Sequence, residues 1–234
     1  MTYWSGSLVD APAFGRELPP SVDKSCYRKN TSAAHLATVP GMQRVASQQL
    51  EMFIKRDFLD EAHCEALIAL IEKQRRPSAI SNYNGDDAFR TSETCDLDQA
   101  DEAVARLEAM LEQMSAIDPR HGEPLQGQRY ETGQEFKGHT DYFEPFSAEY
   151  EEFCAVAGQR TWTFMIYLNA VEAGGATRFK AIDKTIRPQP GKLVAWNNVY
   201  DDGRPNPATI HHAMKVRKGR KYVITKWYRA RPWG

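Results

Sequence analysis

From residue 125 onward the chain is a succession of short runs rich in Tyr, Phe, Trp, Val, Ile and Thr. They lie at 125–131, 135–143, 161–169, 176–180, 185–188, 192–197, 209–216 and 221–229, with turn residues between them. Runs this short bury their apolar side chains by packing sheet against sheet, so their spacing predicts an all-β sandwich or barrel for this part of the chain.

The preceding segment has a different period. Glu51 to Phe58 predicts a short strand, and Asp60 is placed to cap a helix whose Cys64, Leu67, Ile68 and Ile71 share one face. Pro77, just past Arg75 and Arg76, ends that helix. A second helix is expected over about 98–115, with Val104, Leu107, Leu111 and Met114 inward, before Asp118, Pro119 and Gly122 break it. Residues 1–48, rich in Pro, Ser, Ala and Gly with weak periodicity, predict an N-terminal arm. The organisation is therefore α+β: an arm over 1–48, then one domain over 49–234 with helical support at about 59–115 and a β core at about 125–234.

Thirty basic side chains against 31 acidic ones give a formal charge of −1, which argues against nucleic acid or an anionic membrane as partner. No apolar run approaches the roughly 20 residues that cross a bilayer, and the first 25 residues lack the pattern of a secretory signal. The cysteines, at 26, 64, 95 and 154, form no CxxC pair. That scatter predicts reduced thiols and a cytoplasmic location, and a metal in this chain would need histidines and carboxylates.

Such a set exists. His139 and Asp141 lie two apart in a β run, so imidazole and carboxylate point to the same face. His211 begins another strand 70 positions after Asp141. Two histidines and one carboxylate on one side of a metal leave positions open for cosubstrate and O₂, as non-haem Fe(II) oxygenases require. The same ligands also suit zinc. His35, His63 and His121 read as ordinary surface or hydrogen-bonded histidines.

Lys221 adds a second kind of information. Lys218, Gly219 and Arg220 supply a turn, and strand alternation then puts Lys221, Val223, Thr225 and Trp227 on one face. An ammonium among Val, Thr and Trp needs an anionic partner, because burying it alone is costly. The far carboxylate of a dicarboxylic cosubstrate would be that partner.

Over about residues 90 to 229 the chain resembles the prolyl 4-hydroxylase branch of the 2-oxoglutarate dioxygenases. The resemblance is in order as well as content. Tyr130 precedes His139 by nine positions with Gly133 and Gln134 between; Arg160, Thr163 and Tyr167 follow an R-x-x-T-x-x-x-Y pattern; Gly174 to Phe179 reads G-G-A-T-x-F. Pro188, Gly191, Trp196 and Asn198 fit P-x-x-G-x-x-x-x-W-x-N, and His211, Lys221 and Trp227 complete H-x9-K-x5-W.

The resemblance implies a double-stranded β-helix, or jelly roll, with Fe(II) at its open mouth on His139, Asp141 and His211. It implies 2-oxoglutarate as cosubstrate, held by Lys221 with help from Tyr130 and Thr177, and ascorbate as reductant. Arg160 and Trp227 become candidates for contacting a peptide, protein or small-molecule substrate. Four positions depart from the family: Phe136 stands where a second Tyr is usual, Lys180 and Lys215 stand where prolines are common, and His212 follows the ligand His. Strand alternation lets only one of His211 and His212 face inward, and the ten-residue offset to Lys221 selects His211. Segments 80–97 and 143–159 are expected as loops that gate the mouth. Other readings of the same residues are hydroxylation of a free amino acid, zinc hydrolysis, and a cupin-like binder without turnover.

Overall fold

The computed structural model describes residues 31–78 and 89–233. In chain order the elements are α1 (Thr31–Leu36), β1 (Met42–Arg44), β2 (Met52–Lys55), α2 (Glu61–Gln74), β3 (Arg76–Pro77), β4 (Glu93–Asp96), α3 (Glu102–Ser115), β5 (Gln126–Tyr130), β6 (Phe136–His139) and α4 (Ala148–Ala157). There follow β7 (Arg160–Tyr167), β8 (Ala173–Gly174), β9 (Thr177–Phe179), β10 (Lys184–Ile186), β11 (Lys192–Asn197), β12 (His211–Ala213), β13 (Val216–Lys218) and β14 (Lys221–Arg229).

Capping and amphipathicity explain the two long helices. Asp60 accepts from the His63 amide at the start of α2, and Asp101 from the Ala103 amide at the start of α3. Leu67 and Ile71 of α2, and Val104, Leu107 and Leu111 of α3, are fully buried. They press on one face of an eight-stranded sheet of order β1-β2-β11-β7-β14-β5-β4-β3, against Phe164, Ile166, Leu193 and Ile224. The other face of that sheet carries Tyr130, Met165, Tyr167, Val194, Trp196 and Val223, which pack on Phe179, Ile186 and Ala213 of a four-stranded sheet, β10-β9-β12-β6. Two antiparallel sheets closed face to face around this second core make the double-stranded β-helix.

Strand β14 shows why the chain folds this way. All nine of its residues are buried, since even positions lie under the helices and odd positions face the smaller sheet. Lys226, on the helix side, is neutralised by Glu108 of α3 at 2.6 Å. Lys221, on the other side, looks into the barrel.

Three expectations change. Of the arm expected over 1–48, residues 1–30 lie outside the described residues; beyond them Leu36 is fully buried and Met42–Arg44 pair with β2, so that part is packed on the domain. Segment 143–159 contains α4 rather than a loop, and the Arg229 and Arg231 side chains bind its carbonyls at Phe153 and Cys154. The lid expected at 80–97 is only partly described, and its last part, β4, is a strand of the main sheet. No helix among the described residues is long and apolar enough to cross a membrane.

Candidate metal centre

Strand β6 ends on His139 and strand β12 begins on His211, and the two residues are direct partners in the antiparallel ladder. Their rings lie 4.2 Å apart between centroids. Asp141, two residues past the end of β6, completes a cluster whose ligand atoms all lie within 4.8 Å of one another. Among the described residues it is the one group of three or more His, Cys, Asp or Glu so placed.

The surroundings orient each member. His139 donates from Nδ1 to the Lys137 carbonyl at 2.7 Å, and His211 from Nδ1 to the Thr209 carbonyl at 3.0 Å, which leaves both Nε2 atoms as bare acceptors. Asp141 spends Oδ2 on the Thr163 hydroxyl at 2.7 Å, and Asn198 donates to that same hydroxyl at 2.8 Å. Oδ1 is left facing the His139 Nε2 at 3.9 Å. Burial and the neighbouring His211 hold His139 well below the usual imidazole pKa, so it stays neutral, the form that binds a cation. Two imidazole nitrogens and one carboxylate oxygen converging on one point suit a divalent metal of the first transition row.

Aromatic rings wall the cluster. Phe136 stacks on His139 at 3.5 Å and 11°, Phe179 stacks on His211 at 5.2 Å, and Trp196 meets His211 edge-on at 5.0 Å. His212, on the opposite face of β12, turns to Glu135 at 3.0 Å, so only His211 enters the cluster.

A small pocket runs from the cluster to Lys221, lined by Tyr130, Thr177, Val223 and Thr225 and also by Arg90 and Trp227. Lys221 is 1% exposed, its ammonium lies 4.3 Å from the Tyr130 ring centre, and burial alone pulls its pKa down to about 7. Among the described residues no carboxylate pairs with it. Thr177 accepts the Tyr167 hydroxyl at 2.6 Å and so keeps its own proton to give. Burial pushes the Tyr130 phenol up, against Arg90 and a Ser92 hydrogen bond that pull it down, and the phenol stays protonated.

Arg160 meets Trp227, which lines this pocket, with the guanidinium 4.0 Å from the ring centre. Arg160 is committed to Glu123, at 2.7 Å to each oxygen, and Glu123 also pairs with Arg229 at 2.9 Å. The buried Trp227 indole N–H has no hydrogen-bond partner among the described residues. Of the motif residues Thr163 and Asn198, Thr163 holds Asp141 and Asn198 holds Thr163. No motif marks Gln128, although alternation with Tyr130 on β5 places that polar side chain inward.

Residues 125–229 match the 2OG-Fe(II) oxygenase superfamily. Probable prolyl 4-hydroxylase 8 of Arabidopsis thaliana is 30% identical over 210 residues, covering 79% of this chain and 70% of that protein. Prolyl 4-hydroxylase 13 of the same plant is 29% identical over 198 residues, covering 76% and 70%. The viral collagen prolyl hydroxylase of Paramecium Bursaria Chlorella virus-1, solved as a 2OG complex, shares the fold with a TM-score of 0.61 at 23% identity, covering 76% of this chain and 94% of that one.

Proposed function

This chain belongs to the prolyl 4-hydroxylase-like 2OG-Fe(II) oxygenases, and from that premise we propose that it hydroxylates a prolyl residue of a peptide or protein, with Fe(II) on His139, Asp141 and His211. The substrate class rests on the relatives, which are named as prolyl 4-hydroxylases. The observation that carries the site assignment is Lys221: a buried ammonium without an acid partner among the described residues, in the same pocket as a two-histidine, one-carboxylate cluster.

When bound, iron and 2-oxoglutarate supply the oxidative chemistry, in which O₂ is consumed, the cosubstrate leaves as succinate and CO₂, and a substrate C–H bond becomes C–OH. The chain's own residues bind and orient. His139 and His211 offer Nε2, and Asp141 offers Oδ1 while Thr163, itself held by Asn198, keeps its other oxygen occupied. Lys221 takes the far carboxylate of 2-oxoglutarate, Thr177 donates to it, and the Tyr130 ring flanks the ammonium. Phe136, Phe179 and Trp196 exclude water from the histidines. Trp227, which lines the same pocket with its ring against Arg160, contacts the substrate in this reading. Ascorbate as reductant and a cytoplasmic location belong to the same reading, the first from the family and the second from the scattered cysteines.

The test is incubation of the protein with Fe(II), 2-oxoglutarate, O₂ and a library of proline-containing peptides, read by mass spectrometry. Addition of one oxygen at a prolyl residue, with matching succinate, is expected. Succinate formed only with free amino acids, or none with any peptide, contradicts it.

A further inference from the structure

The inward face of β5 carries Gln126, Gln128 and Tyr130 in alternation, opposite Thr225, Val223 and Lys221 of β14. Their polar groups form a chain whose donor directions are fixed by chemistry at one end. Arg90 donates from Nη2 to the Gln126 Oε1 at 3.1 Å. A guanidinium has no acceptor, so Gln126 must present its oxygen there. Gln128 reaches that same oxygen at 3.2 Å and must do so with its amide nitrogen, which also donates to the Thr225 hydroxyl at 3.2 Å. The Gln128 Oε1 is thereby turned to Tyr130, and the Tyr130 hydroxyl donates to it at 2.9 Å. A phenol has one proton, and this is the proton that the far carboxylate of a cosubstrate beside Lys221 would otherwise take.

We propose that Gln128 is a positioning residue which, oriented from Arg90 through Gln126, draws the Tyr130 proton away from the cosubstrate, so that 2-oxoglutarate is held by Lys221 and Thr177 and meets Tyr130 only through its ring and lone pairs. Turning the Gln128 amide over does not escape this, because its oxygen would then face the Gln126 oxygen that Arg90 holds in place. Tyr130 is 1% exposed, and the other group beside its hydroxyl is Ser92, whose oxygen already accepts from Arg90 Nε at 3.1 Å. The inference rests on the cosubstrate reading above and concerns one hydrogen bond within it.

Calorimetric titration of Mn(II)-loaded protein with 2-oxoglutarate, without turnover, tests it in a double-mutant cycle. Gln128→Met keeps the length of the side chain and removes the acceptor; Gln128→Leu takes its place if the first variant does not fold. With Tyr130 present, the substitution frees the phenol proton for the carboxylate, and affinity should rise roughly three- to tenfold, the size of one hydrogen bond. In a Tyr130→Phe background the same substitution should change affinity by less than about twofold. Unchanged or weaker binding by the single variant overturns the proposal, and so does an equal gain in the Phe background, which would trace the effect to bulk. Absence of 2-oxoglutarate binding to the unaltered protein would instead overturn the cosubstrate reading.

Discussion

The ammonium of Lys221 stands 4.3 Å from the centre of the Tyr130 ring, and burial, with no compensating acid among the described residues, brings its pKa to about 7. A fold keeps such a cation where a ligand completes the pair. Binding of the dianionic cosubstrate needs the protonated lysine, so affinity should fall as pH rises above about 7, by up to about tenfold per pH unit. Titrations above that pH should take up close to one proton per ligand, read as a binding enthalpy that depends on the ionisation heat of the buffer. A binding constant flat from pH 6 to about 9 would remove Lys221 from the site.

The same lysine should cost stability. Its pKa is lower in the fold than in the unfolded chain, where 10.5 is usual, so the unfolded chain holds the extra proton between about 7 and 10.5. Lys221 therefore makes stability rise with pH across that window. Lys221→Met should unfold at higher temperature near neutral pH, by roughly 1 to 4 kcal/mol, while losing roughly 100-fold or more in 2-oxoglutarate affinity. Loss of both stability and affinity would mean that the lysine has a structural partner.

Adjacent histidines should behave oppositely. His211→Ala should abolish tight binding of Mn(II) or Fe(II) and the thermal stabilisation that a bound metal confers, about 4 kcal/mol at a thousandfold excess over Kd. His212→Ala removes the contact to Glu135 and should bind metal within about threefold of the unaltered protein, since that contact lies on the face of β12 turned away from the cluster. Equal losses in the two would place the wrong histidine in the cluster.

Glu123 neutralises Arg160 and Arg229 together, and all three side chains are largely buried. Glu123→Ala leaves two guanidinium groups unpaired and should cost about 3 to 5 kcal/mol in urea unfolding. A cost under about 1 kcal/mol would show that the network is solvated.

How far the sequence could be read follows from which residues carry a spacing signal. His139 and Asp141 two apart, His211 ten before Lys221, and the Asp60 cap are local patterns, and the structure brings the four site residues to one cavity. Helix α4 was hidden because only Cys154 and Ala157 are buried in it, which is too few to write a helical stripe. The run 209–216 reads as one strand, yet β12 pairs with β6 and β9 whereas β13 pairs with β8, a division made by partners distant in sequence. Thr163 and Asn198 act on Asp141 from β7 and from just past β11, a relation that exists only once the sheet has closed.

The most direct test of the account compares 2-oxoglutarate with 2-oxopentanoate, which has the same chain length but ends in a methyl group, as ligands of the Mn(II)-loaded protein and its Lys221→Met variant. If Lys221 receives the far carboxylate, 2-oxoglutarate should bind the unaltered protein roughly 100-fold or more tightly, and the preference should shrink to within about threefold in the variant. An undiminished preference in the variant would contradict the account.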